Sequence, residues 1–489
     1  MTGSTPETHS FPAGRATEAD CSRPTRREWL GLCVLLVVAG LLRLGASRGG
    51  LWLDELWTLG PDVRGKITSA GDVFTSIHHE NNHYLNTLVG WWLGPDCEAW
   101  KYRFPSVLAG LVTVACGWRI GRRRSLAAGW LSAIVLALSY PLVHYGSEAR
   151  GYALAVAGAM AGVDLRERLW SRPRGITAFA TGLVETLGLL AQPVLICHLA
   201  GLAVVNGWLA WRETTSQNRR AVWQLAALAL PGLIFCGLYW IDLSRAFNPG
   251  GPVFPLMDVV TQTLSLVVGG PLDEPGVHIA GMLGGVWLVG VAWWARRGEQ
   301  AAVGVAILGG VVIPFLVLMI EARYEVYPRY FLVAITAAQL LMSLALGTAW
   351  NHGGWKRVAV LVALVGWGGA TAGHLLRLWS LGRGDAGEIV ELLARESRQT
   401  PIRYTADHDF RMRMFLEEGF RRRGWDPPSP PVRPGETGGR EPEWLLSHDF
   451  RISPAFPETL LLGRAKWRRR VVSPYAGLSG WSTAVYSRE

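Results

Sequence analysis

Four short polar stretches carry side chains able to do chemistry, and each lies where an apolar run ends. In GLLRLGASRGGLWLDELWTLG, residues 40–60, the adjacent carboxylates Asp54 and Glu55 sit between Trp52 and Trp57, just after the first apolar run. A carboxylate held at a membrane surface can take a proton from a hydroxyl, and its neighbour can orient it. In SYPLVHYGSEARGYAL, residues 139–154, Glu148 and Arg150 stand between two further runs. In EARYEVYPRYFLV, residues 321–333, Arg323 and Arg329 bracket Tyr324 and Tyr327, with Tyr330 just beyond. A guanidinium fork matches two phosphate oxygens. Anchoring in an aromatic belt would explain these tyrosines but not the arginines. In HHENNHYLN, residues 78–86, Asn82 and His83 precede a short apolar segment and could hydrogen-bond a phosphate or a sugar.

Plainer readings exist for each stretch. An acid pair is favoured at a helix N-terminus by the dipole alone, and Glu148 with Arg150 could be a local ion pair. Charges this near lipid are costly, however, and are more often functional than surface charges are. His79, Glu80 and His83 also match HExxH, which binds zinc when both histidines share a helix face. Asn81 and Asn82 fill a helix poorly, and no third ligand follows at short range. The expectation is no metal and no cofactor.

The elements that must position these residues are membrane spans. Of 489 residues, 50% are hydrophobic and 18% charged, below the ~25% charge of soluble domains. The 24 tryptophans suit interfacial belts. Apolar runs near the ~20-residue span length fall at about 29–45, 104–121, 126–145, 151–165, 175–191, 193–211, 221–240, 277–295, 301–320, 329–349 and 357–375. That predicts about eleven transmembrane helices. Residues 1–28 form a polar cytoplasmic N-terminus, disordered over 2–20, and 29–45 stays as an anchor. Tyr84–Leu93 is apolar but short and reads as an interfacial helix in the first outer loop, as does 256–268.

The net charge of +10 raises the question of nucleic acid. The cations fall in clusters between apolar runs, at 23–27, 122–124, 166–174, 212–220, 296–297 and 356–357, which marks topology and not a phosphate-binding stripe. No nucleic acid partner is expected. These loops belong in the cytoplasm by the positive-inside rule. Asp54, Glu55, His83, Arg103, Glu148, Arg150, Arg323 and Arg329 then share the extracytoplasmic face of a multi-pass plasma (inner) membrane protein. Only Cys97 lies outside, so no extracytoplasmic disulfide forms within the chain. Residues 376–489 turn soluble and predict a small extracytoplasmic α/β domain, with helices near 386–396 and 410–422 and strands near 402–404, 444–447, 460–462 and 483–487.

One face thus offers carboxylates for a hydroxyl acceptor and cations for a phosphate leaving group, both at the lipid boundary. A sugar carried on a lipid phosphate fits that chemistry. A rival reading is a transporter or flippase of a lipid-linked or anionic solute. Transporters place charge near the bilayer midplane and use internal repeats. Most span interiors here lack acids, Glu185 and Asp164 excepted, and no convincing repeat is present.

The ordered set of LDELW, the Asn/His-rich turn into an amphipathic segment, EAWKYRFPSVLAGLVTV, SEARGYAL and PRYFL resembles the GT-C glycosyltransferases of the protein O-mannosyltransferase and lipid A aminoarabinose transferase superfamily, over about residues 29–375. The resemblance implies an integral membrane enzyme of GT-C fold that moves a sugar from a polyprenyl-phosphate donor to a protein, lipid or glycan acceptor outside the cytoplasm. Direct displacement with one flanking base implies inversion. The resemblance matches the family's acid pair to Asp54 and Glu55, with Asp54 as base, and its second acid to Glu148. For the donor phosphate it suggests Arg150 and Arg329, with Arg103 and His83 behind. Asn82, Arg323 and Tyr330 complete the expected binding set. Donors of this monophosphate class imply no catalytic metal. The sequence departs from many relatives at ENNHYLN, which has no Pro-Pro pair.

Overall fold

The computed structural model describes residues 24–489 except 61–62, 64, 80, 95–96, 213–215, 247–253, 274–275, 296–325, 385, 399–400, 433–440 and 452–453. The expected span at 301–320, Arg323, Glu80 and the segment 2–20 lie outside the described residues.

Helix α1 (Arg26–Ala46) starts at Thr25, whose hydroxyl accepts the Glu28 amide at 3.3 Å. Two short helices follow, α2 (Leu53–Leu59) and α3 (Tyr84–Leu93). α4 (Ala99–Arg122) then carries Arg103 near one end and Arg122 at the other, about 28 Å apart at 1.5 Å per residue. That matches the ~30 Å hydrocarbon layer. Arg122 Nε meets Glu28 at 2.8 Å, which joins the last turn of α4 to the first of α1. At the same end Arg123 and Arg124 each reach Glu167 at 2.5 Å, and Arg119 reaches Asp164 at 3.2 Å. The clustered cations are therefore paired with acids at the end of the helices opposite Arg103.

The run expected as one span at 126–145 is broken. Ser125 caps α5 (Leu126–Leu138) through the Ala128 amide at 3.1 Å, and α6 (Tyr140–Tyr145) begins after Ser139. Pro141 is the cause: it has no N–H for the Ala137 carbonyl. Arg43 of α1 takes that role. Its Nη1 donates to Ala137 O at 3.1 Å and its Nη2 to Leu136 O at 3.2 Å, with the side chain wholly buried. Gly110 of α4 makes room, since a Cβ there would collide with Arg43 Nε.

Next come α7 (Tyr152–Ser171), α8 (Gly175–Ala191) and α9 (Leu195–Arg212). The expected span at 221–240 is likewise two helices, α10 (Ser216–Ala227) and α11 (Ala229–Ile241). Pro231 cannot donate to Ala227 O, and the chain tightens at Leu228. α12 (Leu256–Val267) is short, as expected of an interfacial helix; α13 (Gly276–Ala295) follows. A single 3₁₀ turn, Pro328–Phe331, leads into α14 (Leu332–Asn351), and α15 (Trp355–Leu381) closes the bundle.

By length and composition, five stretches among the described residues can cross a membrane: α1, α4, Arg219–Arg245, Pro328–Asn351 and α15. Shorter apolar helices stand among them, including α5, α8 and α12. The chain is a polytopic α-helical membrane protein. Within the bundle Arg166 grips Glu185 through both carboxylate oxygens at 2.6 Å, and Gln224 takes the remaining amine at 3.0 Å.

The C-terminal domain holds α16 (Gly387–Glu396), α17 (Asp409–Arg421) and a five-stranded sheet in the order β1-β2-β5-β4-β3. The strands are β1 (Tyr404–Ala406), β2 (Trp444–Asp449), β3 (Thr459–Leu462), β4 (Ala465–Ser473) and β5 (Ser482–Arg488). Among the described residues β1 and β2 alone pair in parallel, across α17; the other ladders are antiparallel. The organisation is therefore α+β and not the α/β expected, because the two-residue turn Gly463-Arg464 forces a β3–β4 hairpin. The domain also shares a core with the membrane part: Leu53, Leu56 and Leu59 of α2 pack with Phe415, Leu416 and Trp481. Each such side chain contributes roughly 1.5–3 kcal/mol when fully buried.

Candidate active site

α2 has seven residues and two faces. Leu53 and Leu56 turn to the shared core. Asp54 and Thr58, four residues apart, turn to the segment after His78: Asn81 Nδ2 donates to Asp54 O at 2.7 Å, and Thr58 Oγ1 donates to Asn81 O at 3.2 Å. Glu55 caps its own helix by accepting the Trp52 amide at 3.1 Å.

The two neighbouring acids live in different surroundings. Glu55 is wholly buried and accepts four hydrogen bonds. Arg103 supplies two, Nε to Oε1 at 2.8 Å and Nη2 to Oε2 at 2.5 Å, the Trp52 amide gives the third, and the Ala149 amide gives the fourth at 2.7 Å. Arg103 also binds the Ser47 and Gly50 carbonyls at 2.9 and 2.7 Å, fixing the turn between α1 and α2. Asp54 keeps 13% of its side chain exposed. Its Oδ2 is hydrogen-bonded by Arg150 Nη1 and lies 3.4 Å from Arg329 Nη2.

Arg150 has every donor group engaged. Besides Asp54 it binds Asn81 Oδ1, and its Nη2 and Nε approach His83 Nε2 at 2.9 and 3.2 Å. Its guanidinium lies 4.9 Å from the Tyr152 ring centre and 5.6 Å from that of Trp52. Burial, then the Arg150 charge, push the His83 imidazole well below its ordinary range. Neutral His83 therefore donates from Nδ1 to Ala191 O at 3.1 Å and accepts at Nε2. Arg329 is less committed. Its Nε is buried without a partner, and it stacks 4.0 Å from the Tyr327 ring centre, with Tyr330 at 5.8 Å.

Glu148 is wholly buried. Arg383 Nε meets its Oε1 at 3.0 Å, and His144 Nε2 lies 3.1 Å from the same oxygen. Burial pushes this carboxyl up, but His144 and Arg383 outweigh it and hold the group well below the usual carboxylate range. Asn82 points to backbone: Nδ2 donates to Val73 O at 2.8 Å and to Ile77 O at 3.2 Å.

The structure thus brings Asp54, Glu55, His83, Arg103, Arg150 and Arg329 into one connected network. It sets Glu148 behind that network, bonds Asn82 to the loop backbone and leaves Tyr330 beside Arg329. The sequence reading passed over Asn81 and Arg383. Nothing in ENNHYLN marks Asn81 as the residue that turns inward, and Arg383 lies 235 positions from Glu148. Among the described residues no group of three or more His, Cys, Asp or Glu could hold one metal ion. His79 and His83 precede α3, so they share no helix face.

No protein-family model matches the chain, and no curated protein does. Solved structures match. The chain is similar to ArnT from Cupriavidus metallidurans bound to undecaprenyl phosphate, with TM-score 0.50 and 13% identity over 94% of this chain and 98% of that one. It is similar to the apo state of the same protein with TM-score 0.51 and 15% identity, over 86% and 93%. At these identities the likeness shows the fold alone.

Proposed function

We propose that the chain transfers a sugar from a polyprenyl-phosphate donor to an acceptor hydroxyl at the extracytoplasmic surface of the plasma membrane. The observation that carries this reading is the pairing of one partly exposed carboxylate, Asp54, with Arg329, a cation that still has an unpartnered donor. In the proposed step the acceptor hydroxyl gives its proton to Asp54. Its oxygen forms the new bond to the anomeric carbon, and the bond from that carbon to the phosphate oxygen breaks with its electron pair going to the phosphate. Such displacements pass through an oxocarbenium-like state, so stabilising the departing phosphate matters as much as activating the hydroxyl. Attack opposite the leaving phosphate inverts the anomeric configuration.

The committed donors of Arg150 suit it to holding Asp54, and the uncommitted Nε of Arg329 suits it to the phosphate. Tyr327 and Tyr330 flank that guanidinium. Glu55 and Arg103 fix the position of α2, His83 orients Arg150, and Asn82 shapes the loop. The likeness to a structure bound to undecaprenyl phosphate supports a lipid-phosphate donor. A transporter reading gains nothing from the buried charges of the bundle, since Arg166 and Glu185 satisfy one another with Gln224.

The test is a panel of radiolabelled polyprenyl-phosphate sugars incubated with purified protein and membrane extract as acceptor source. Loss of label from the lipid, with an inverted anomeric centre in the product by NMR, is the expected result. If every donor stays intact, the transferase reading fails and flux assays in liposomes become the next step.

A further inference from the structure

We infer that Arg383 is a positioning residue through which the C-terminal domain holds the Glu148-Ala149-Arg150 turn, and with it Asp54, in working geometry. The inference rests on the function proposed above. It makes the soluble domain a structural part of the catalytic centre.

Arg383 stands just past α15, at the root of the domain, and only 6% of it is exposed. Its guanidinium reaches entirely into the membrane part. Nη1 donates to Ala46 O at 3.0 Å, Nη2 to His144 O and to Ser147 Oγ at 2.8 Å each, and Nε to Glu148 Oε1 at 3.0 Å. Those partners are the last residue of α1, His144 of α6, and Ser147 and Glu148 of the turn between α6 and α7. Three consecutive residues of that turn then face three ways. Glu148 is held by Arg383, the Ala149 amide donates to Glu55, and Arg150 holds Asp54. A shift of the turn would therefore reach both acids of α2 at once.

The other side of Arg383 is gripped by the domain. The Ala476 amide donates to Gly382 O at 2.9 Å. Gly384 and Gly480 adopt φ of +86° and +103°. A Cβ at Gly384 would collide with the Trp481 carbonyl, and one at Gly480 with the Arg383 carbonyl. Two chain segments thus touch backbone to backbone, an approach that glycine alone permits at these angles. Between them Leu478 takes φ +66°, which costs energy in any L-residue with a branched side chain. Its side chain packs against two cores of the bundle, beside residues such as Leu332 and Leu375. Strain here is offset by the seat it secures. The loop 475–481 is wedged onto the bundle, and Arg383 runs from that wedge to Glu148.

Glu148 reaches Asp54 through the turn: the side chain is wholly buried, and Arg383 takes its Oε1, while Oε2 has no partner. A displacement of about 1 Å at a reacting group can cost two orders of magnitude in rate. The effect belongs in kcat, because the acceptor-binding and donor-binding surfaces do not include Arg383.

The experiment uses full-length protein in nanodiscs, with Arg383→Ala, Arg383→Lys and Glu148→Gln. Donor turnover should fall at least about tenfold in kcat for Arg383→Ala, with KM for the donor within about twofold. Arg383→Lys should recover part of the loss. In parallel, amide exchange should rise at 144–151 and 53–59 in Arg383→Ala while the sheet β1–β5 stays protected. Wild-type turnover in Arg383→Ala, or exchange that rises only at 382–384, overturns the inference. If Arg383→Ala fails to fold, Glu148→Gln carries the same two readouts with the arginine in place. If wild type consumes no donor, the transferase reading has failed, and the exchange arm still decides whether Arg383 holds the turn.

Discussion

Arg103 and Glu55, 48 positions apart, form a bidentate ion pair in which neither side chain has any exposed surface. A pair like this need not outperform a hydrophobic isostere, but losing one member strands the other charge, typically at 3–5 kcal/mol. Glu55→Gln should therefore lower stability by roughly that amount, and thermal unfolding in detergent reads it. An equal loss of donor turnover at temperatures where the variant is folded would instead assign Glu55 to the chemistry.

The contact of Arg43 with the broken end of α5 makes a second claim on stability. Arg43→Met leaves the Leu136 and Ala137 carbonyls without their donors. Each unpaired buried group costs about 1–3 kcal/mol. Gly110→Ala should also destabilise, because its methyl group would enter the space of Arg43 Nε. Both variants should unfold several degrees below wild type, and Gly110→Ala in an Arg43→Met background should lose most of its own effect.

Arg329→Ala separates phosphate binding from folding. Hydrogen bonds to charged groups contribute about 1.5–3 kcal/mol. The apparent donor affinity should weaken roughly 10- to 150-fold, measured at a temperature where the variant is folded, because its buried Nε has no partner within the chain. Arg329→Lys should recover only part, as it lacks the planar fork. Unchanged donor affinity in Arg329→Ala would move the phosphate elsewhere.

His79 gives a pH prediction. Its ring stacks on Trp57 at 5.2 Å, and burial pushes its pKa down to about 4. The unfolded chain binds a proton near pH 6.5 and the folded chain does not. The stability from neutral His79 is thus complete above pH 6.5 and is lost as pH falls toward 4, by at most about 3 kcal/mol. Phenylalanine keeps the stack without the titration. His79→Phe should flatten the unfolding midpoint between pH 6.5 and 4, and an unaltered slope would contradict this environment.

Much of this was legible in the sequence, for reasons that particular residues make plain. Apolar length and end-clustered arginines located α1, α4 and α15, because a bilayer admits few other solutions. Asp54, Arg103, Arg150 and Arg329 stood out because charge beside lipid is costly. Pairings stayed hidden wherever they join distant segments. Nothing in the first apolar run marks Arg43, whose partner is a carbonyl freed by Pro141. The β4 segment AKWRRRVVS is not among the expected strands, although Trp467 faces inward between outward cations. Alternation over so few residues is weak when one face is nearly all arginine. Asn81 and Arg383 became visible only when the turn at 147–150 was folded against α2.

The most direct test of the account is single-turnover donor cleavage by Asp54→Asn beside wild type, with donor binding measured on the same preparations. Asparagine keeps the size of the side chain but cannot take the proton. The account predicts that Asp54→Asn binds the polyprenyl-phosphate sugar yet transfers it at least about a hundredfold more slowly. Transfer at the wild-type rate by a variant that binds donor normally would remove Asp54 from the chemistry and with it the central claim.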